Sequence, residues 1–188
     1  QRFLQEGEKV GYPHNWEKPS SEWTGAQAMV GYLMFDAWIN NTERHEQNWG
    51  IVLHKAGPDV GKVRHFLAPL FDNSSCLGWT LPEQKKVEML KTFGSITEYA
   101  VKSESEFYPE GKTYRLSTFV AFKIAAFAYP GAAKVWLKML SGIKKEETAH
   151  LLNRIPTALT SPIELEFAVE LLKVNQRRLL EFGPTLRT

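Results

Sequence analysis

The sequence predicts a mainly α-helical domain carrying one short β-hairpin. Three observations point there. The stretch 23–39 is apolar with helical spacing. Two short apolar runs, 49–53 and 63–67, flank a segment rich in glycine and proline. Beyond residue 80, apolar residues at helical spacing alternate with helix-capping residues. Composition agrees: 43% of the 188 residues are hydrophobic and 23% charged, the balance of a globular chain. Eleven Phe and six Trp supply the bulk for a core. At this length the chain is one domain, or one lobe of a larger one.

Residues 1–22 read as an irregular N-terminal segment, because Gly7, Gly11, Pro13, Pro19 and Ser20-Ser21 interrupt any period. The first helix covers 23–39. Val30, Leu33, Met34, Ala37 and Trp38 follow the i, i+3, i+4, i+7, i+8 pattern, and Met29, Tyr32, Phe35 and Ile39 fill much of the rest. A helix apolar nearly all round belongs at the centre of the fold. It ends at Asn40-Asn41, where a polar loop begins. Strands at 49–53 and 63–67 follow, with turn residues over 56–61. Antiparallel pairing brings Asn48, just before the first strand, near Asp72, just after the second.

Pro82 suits the first turn of a helix over 82–92. Ser95-Ile96-Thr97-Glu98 has the pattern of a capping box. Ser117 or Thr118 caps an apolar helix to about residue 129, stopped by Pro130-Gly131. Short helices follow over 132–140 and 145–153. Ser161-Pro162-Ile163-Glu164 combines a capping box with proline at the first helical position and opens the longest helix, to about residue 182. Gly183-Pro184 closes it.

Several function classes are disfavoured. A formal charge of +2 and a pI of 8.6 fall short of a nucleic-acid footprint, so no direct nucleic-acid binding is expected. No apolar run is long enough to span a membrane. The single Cys76 rules out an internal disulfide and suits a reducing, cytoplasmic compartment. His54 and His65 are expected to face each other across the hairpin, but no Cys or third His completes a zinc set. Because the chain opens with Gln1, a preceding segment is expected.

The chemistry concentrates in Thr42-Glu43-Arg44-His45-Glu46-Gln47-Asn48-Trp49-Gly50 and in Leu67-Ala68-Pro69-Leu70-Phe71-Asp72-Asn73-Ser74-Ser75. An acid, an Asn five positions on, and an Asp after the next strands are what Mg-ATP handling needs. One carboxylate orients the acceptor hydroxyl; an amide and a second carboxylate hold the metal. Mg²⁺ keeps few protein ligands, so Asn48 and Asp72 suffice. Phe71 anchors Asp72 and is suited to facing a base. Plainer readings stand beside these: Glu43 as a solvated loop acid, Asn48 as a turn residue, Asp72 as a cap on Asn73-Ser74-Ser75. Arg44 reads as a structural ion-pair partner before a phosphate binder, and His45 as packed under the loop. Asp36 lies seven residues before Glu43, two turns away on one face, and is expected to brace the loop by hydrogen bonding.

Phe35-Asp36-Ala37-Trp38-Ile39-Asn40-Asn41-Thr42-Glu43-Arg44-His45, Asn48-Trp49-Gly50-Ile51 and Leu67-Ala68-Pro69-Leu70-Phe71-Asp72 together resemble the C-terminal lobe of HipA-like serine/threonine kinases, the bacterial toxin–antitoxin kinases and their relatives. The agreement is dense over 35–75 and looser in the last helix, at Ser161-Pro162-Ile163-Glu164 and Asn175-Gln176-Arg177-Arg178-Leu179. The resemblance implies a kinase-like helical C-lobe over 23–188, with a catalytic loop at 40–50 and a metal-binding turn at 68–75. It implies Glu43 as the catalytic acid, Asn48 and Asp72 as Mg²⁺ ligands, and His45 and Phe71 beside the nucleotide. Glu43 stands where the family usually has Asp.

The leading expectation is therefore ATP- and Mg²⁺-dependent phosphoryl transfer to a protein Ser or Thr. The alternative is a pseudokinase or regulatory module with Glu43 in place of the catalytic Asp. A lipid or small-molecule kinase is a third class, disfavoured by the lack of a polybasic segment. No glycine-rich phosphate loop or strand lysine precedes Glu43, so an N-lobe is expected from residues outside this sequence or from a separate chain, with 1–22 following the interlobe hinge. Without that lobe, weak Mg-ATP binding or none is expected. An antitoxin is the expected further partner.

Overall fold

In a computed structural model, residues 2–55 and 63–186 are described. Among them the chain is mainly helical: eight α-helices and one two-stranded antiparallel sheet. Helix α1 (Arg2–Glu8) opens the chain, within a segment whose sequence predicts no regular structure. Seven residues are too short to be helical by propensity alone. Packing decides the matter. Leu4 is buried, and a Cβ at Gly7 would fall 2.8 Å from the Met29 sulfur and 3.0 Å from the Ala26 backbone, so only glycine allows this approach.

Helix α2 (Gly25–Ile39) is the axis of the fold. Thr24 and Gln27 form a capping box at its start, a pattern the sequence reading passed over. Twelve of its fifteen residues are buried, as its all-round apolar pattern predicts. Strands β1 (Ile51–Lys55) and β2 (Val63–Leu67) pair in the register Ile51↔Leu67 to Lys55↔Val63. The turn predicted over 56–61 lies outside the described residues. His54 sits opposite Arg64 rather than His65, because the pairing register is one residue away from that expectation. Its ring stacks instead on His14, with centroids 4.3 Å apart.

Helix α3 (Glu83–Lys91) and α4 (Ser95–Lys102) follow. The predicted capping box at Ser95 does not form. Gly94, left-handed at φ 79°, is the cap, and Ser95 is already in the first turn. Helix α5 (Thr118–Ala128) is capped by Ser117, whose hydroxyl accepts from Val120 N–H. Pro130 does not leave a gap; it begins α6 (Pro130–Ser141) directly, its missing N–H costing nothing at that position. Helix α7 (Lys145–Leu152) leads to α8 (Pro162–Phe182), which starts at the predicted Ser161/Glu164 capping box.

The main core gathers α2, α5, α6 and the end of α8 around Phe122, Met29, Leu140 and Leu179. A second cluster of Met89, Ala100, Phe167 and Leu171 joins α3 and α4 to α8. Two bonds clamp the end of α2 onto α8: Trp38 Nε1 donates to Leu172 O at 3.2 Å, and Asn175 Nδ2 to Trp38 O at 3.1 Å. The loop after α2 therefore starts from a rigid base.

Candidate active site

Helix α2 ends at Asn40, which is buried and left-handed (φ 60°) and donates its N–H to Asp36 O. Asn tolerates this conformation, and it reverses the chain. Asp36 thereby reaches the loop, though not along a continued helical face as the spacing predicted. Asn41 Nδ2 donates to Asp36 Oδ1 at 2.8 Å, while Asn41 Oδ1 accepts the Glu43 N–H at 3.2 Å. Asp36 thus reaches the backbone of Glu43 through one intermediary. The Glu43 side chain is exposed.

Arg44 is the second arm from Asp36. Its Nε and Nη2 donate to the two carboxylate oxygens, at 3.0 and 2.8 Å. Both side chains are almost wholly buried, at 2% and 4% exposure. Burial pushes the Asp36 carboxyl up, opposed by the Arg44 guanidinium and the Asn41 amide. Arg44 Nη1 donates to Asn48 O at 2.6 Å and to Phe71 O at 2.8 Å, and Nη2 donates to Asn73 Oδ1. One guanidinium thus joins the loop after α2 to the turn after β2.

A short 3₁₀ turn, Glu46–Asn48, carries Asn48. His45 is half-buried and caps that turn, its Nδ1 accepting the Gln47 N–H at 3.3 Å. Asn48 is buried and its Nδ2 donates to Glu43 O at 2.8 Å. With the amide nitrogen engaged there, the side chain presents Oδ1 on its other side. Asp72 is exposed and left-handed at φ 50°, with its Oδ1 accepting from the Ser74 hydroxyl at 2.9 Å. Phe71 is 43% exposed. The two loops abut directly: Thr42 N–H donates to Ser75 O, and Leu77 N–H to Ile39 O.

The sequence reading singled out Asp36, Glu43, Arg44, His45, Asn48, Phe71 and Asp72. It missed Asn41, Asn73 and Tyr32, whose hydroxyl donates to Ala68 O at 2.8 Å. The Asn40-Asn41 pair and the single Asn73 are the available signal; Tyr32 looks like any other core aromatic in its helix.

A hard cation fits this donor set. Asn48 Oδ1 and the exposed Asp72 carboxylate are hard oxygen donors of the kind Mg²⁺ takes, and a site built on them would leave its other positions to water. Among the described residues no cluster of three or more His, Cys, Asp or Glu offers an all-protein cage. Among the described residues, grooves elsewhere include one of about 940 Å³ beside Leu33, Phe107 and Ile124 and one of about 500 Å³ between α7 and α8.

No family model matches the chain, and no curated protein does. Among solved structures it is similar to the crystal structure of a Helicobacter pylori proinflammatory kinase, CtkA, with a TM-score of 0.64 at 16% identity. The chain has a kinase-like fold. The match covers 86% of this chain and 54% of that one, so the 188 residues span about half the length of CtkA. Among the described residues no helix is long and apolar enough to cross a membrane.

Proposed function

We propose that this chain is the C-terminal lobe of a HipA-like serine/threonine kinase, transferring the γ-phosphoryl of ATP to a protein hydroxyl. The carrying observation is an acid, an amide and a second acid, Glu43, Asn48 and Asp72, on two abutting loops of a kinase-like fold. In this reading Asn48 and Asp72 hold Mg²⁺, which supplies charge neutralisation at the phosphates. Glu43, exposed on a loop pinned at both ends, orients the acceptor hydroxyl. Phe71 offers its exposed ring, and His45 its imidazole, beside the nucleotide. Asp36 and Arg44 support the loop. Catalysis is then mainly positioning and electrostatics. The phosphate-covering lobe comes from residues outside these 188 or from a separate chain; an antitoxin is the proposed regulator, and the cytoplasm the proposed compartment.

Radiolabelled ATP with Mg²⁺, the full protein and a protein substrate mixture test this. Label transfer abolished by Asp72→Ala supports the reading, and transfer that survives Asp72→Ala overturns the site assignment. A second reading, a pseudokinase or regulatory module, is favoured by one observation: Glu43 is a methylene longer than the Asp of the family it resembles. A misplacement on the order of 1 Å costs about 10²-fold in rate. Glu43→Asp separates the two. A large gain in turnover supports the second reading, and a loss supports the first.

A further inference from the structure

We propose that Arg44 is the positioning residue of Asp72, keeping its backbone left-handed by gripping the residues on either side. The consequence for metal binding rests on the reading above; the conformational claim stands on geometry alone. Arg44 has five N–H donors, and five bonds use them: two to Asp36, one each to Asn48 O, Phe71 O and Asn73 Oδ1. The last two acceptors belong to residues 71 and 73, so Asp72 bulges outward between two held points. A φ of 50° is uncommon for a residue with a side chain, although Asp tolerates it better than most, and such a backbone persists where its surroundings hold it. The local alternative is the Ser74–Asp72 bond, which is exposed and competes with water.

The grip is also rigid. The Arg44 side chain is 2% exposed and its guanidinium is anchored on the Asp36 carboxylate, which belongs to the helix clamped onto α8. The same Nη1 holds Asn48 O and Phe71 O. The spacing of the two loops is therefore set by one planar group. Lysine has neither the fork nor the five donors, and so does not reproduce it.

The experiment is NMR on the isotopically labelled chain, with Mn²⁺ as a paramagnetic probe. The variants are Arg44→Lys and Asn73→Ala. The wild type is expected to show left-handed Cα and Cβ shifts at Asp72, and Mn²⁺ broadening centred on Asn48 and residues 71–74. In both variants the Asp72 shifts move toward extended or right-handed values. Half-broadening then needs about 10- to 100-fold more Mn²⁺, the usual effect of losing an outer-shell partner. Asp72 shifts and a Mn²⁺ titration that stay unchanged in both variants overturn the proposal. Where Arg44→Lys fails to fold, Asn73→Ala decides, since Asn73 is only half-buried. A wild type indifferent to Mn²⁺ overturns a metal site formed by this lobe alone, and the Asp72 shifts then decide the role of Arg44.

Discussion

Tyr32 and Asp36, one helical turn apart on α2, hold opposite ends of the same turn. The Tyr32 hydroxyl bonds Ala68 O, and Asp36, through Arg44, holds Phe71 O and Asn73 Oδ1. Residues at i and i+4 share a helix face, so one buried helix presents both anchors to one loop. The turn bearing Asp72 is thus referenced to the core and not to its own sequence. The two anchors differ in energy. Tyr32 contributes a single neutral hydrogen bond, whereas Asp36 neutralises a buried cation.

Asp36→Ala is accordingly expected to destabilise the chain by about 3–5 kcal/mol, because it strands the buried Arg44 charge. Tyr32→Phe is expected to cost only about 0.5–1.5 kcal/mol. Urea unfolding of both variants checks the order. Equal losses would show that the Asp36–Arg44 pair is not buried in solution.

Gly31→Ala tests the packing of α2 on α6. A Cβ there would fall 2.4 Å from Cε2 of Trp136, whose Nε1 donates to Gln27 O and so holds the ring in place. Overpacking of this kind costs about 1–3 kcal/mol. Gly131→Ala is the control, since its Cβ meets nothing, and it is expected to be neutral or to stabilise by up to about 1 kcal/mol. Thermal unfolding of the two variants reads the difference.

The start of α8 gives an acid-side pH dependence. The Ser161 backbone N–H, and then the Lys86 ammonium, hold the Glu164 carboxyl below its ordinary range. A depressed folded pKa means that its stabilisation is complete above the unfolded value of about 4.3 and fades as pH falls through the folded value. Stability profiles should therefore differ between the native chain and Glu164→Gln at neutral pH and converge in acid. A gap that persists unchanged in acid would contradict the assignment.

Cys76 should be a poor nucleophile. Burial, and secondly the nearby Asp36 carboxylate, push its thiol up to about 11. At pH 8 it is almost wholly protonated, and the thiolate is the reactive form. Alkylation followed by mass spectrometry should be slow in the native chain and fast in denaturant. Rapid native labelling would show the 75–77 segment to be open.

The sequence by itself determined the element types from α2 onward, the all-round burial of α2 and the Ser161/Glu164 start of α8, and it named the candidate site residues. Each of these rests on spacing or on neighbours within a few positions: helical period, capping boxes, alternating strands. Tertiary structure alone decided the rest. Helix α1 exists because Gly7 lets it press on Met29. Gly94 supplants Ser95 as a cap, and the left-handed Asn40 turns the loop back onto Asp36. The convergence of Arg44 on residues 71 and 73 joins positions 27 and 29 apart in sequence. No local period encodes such a meeting. It arises because a buried guanidinium must satisfy every donor, and the folded chain offers those acceptors in one place.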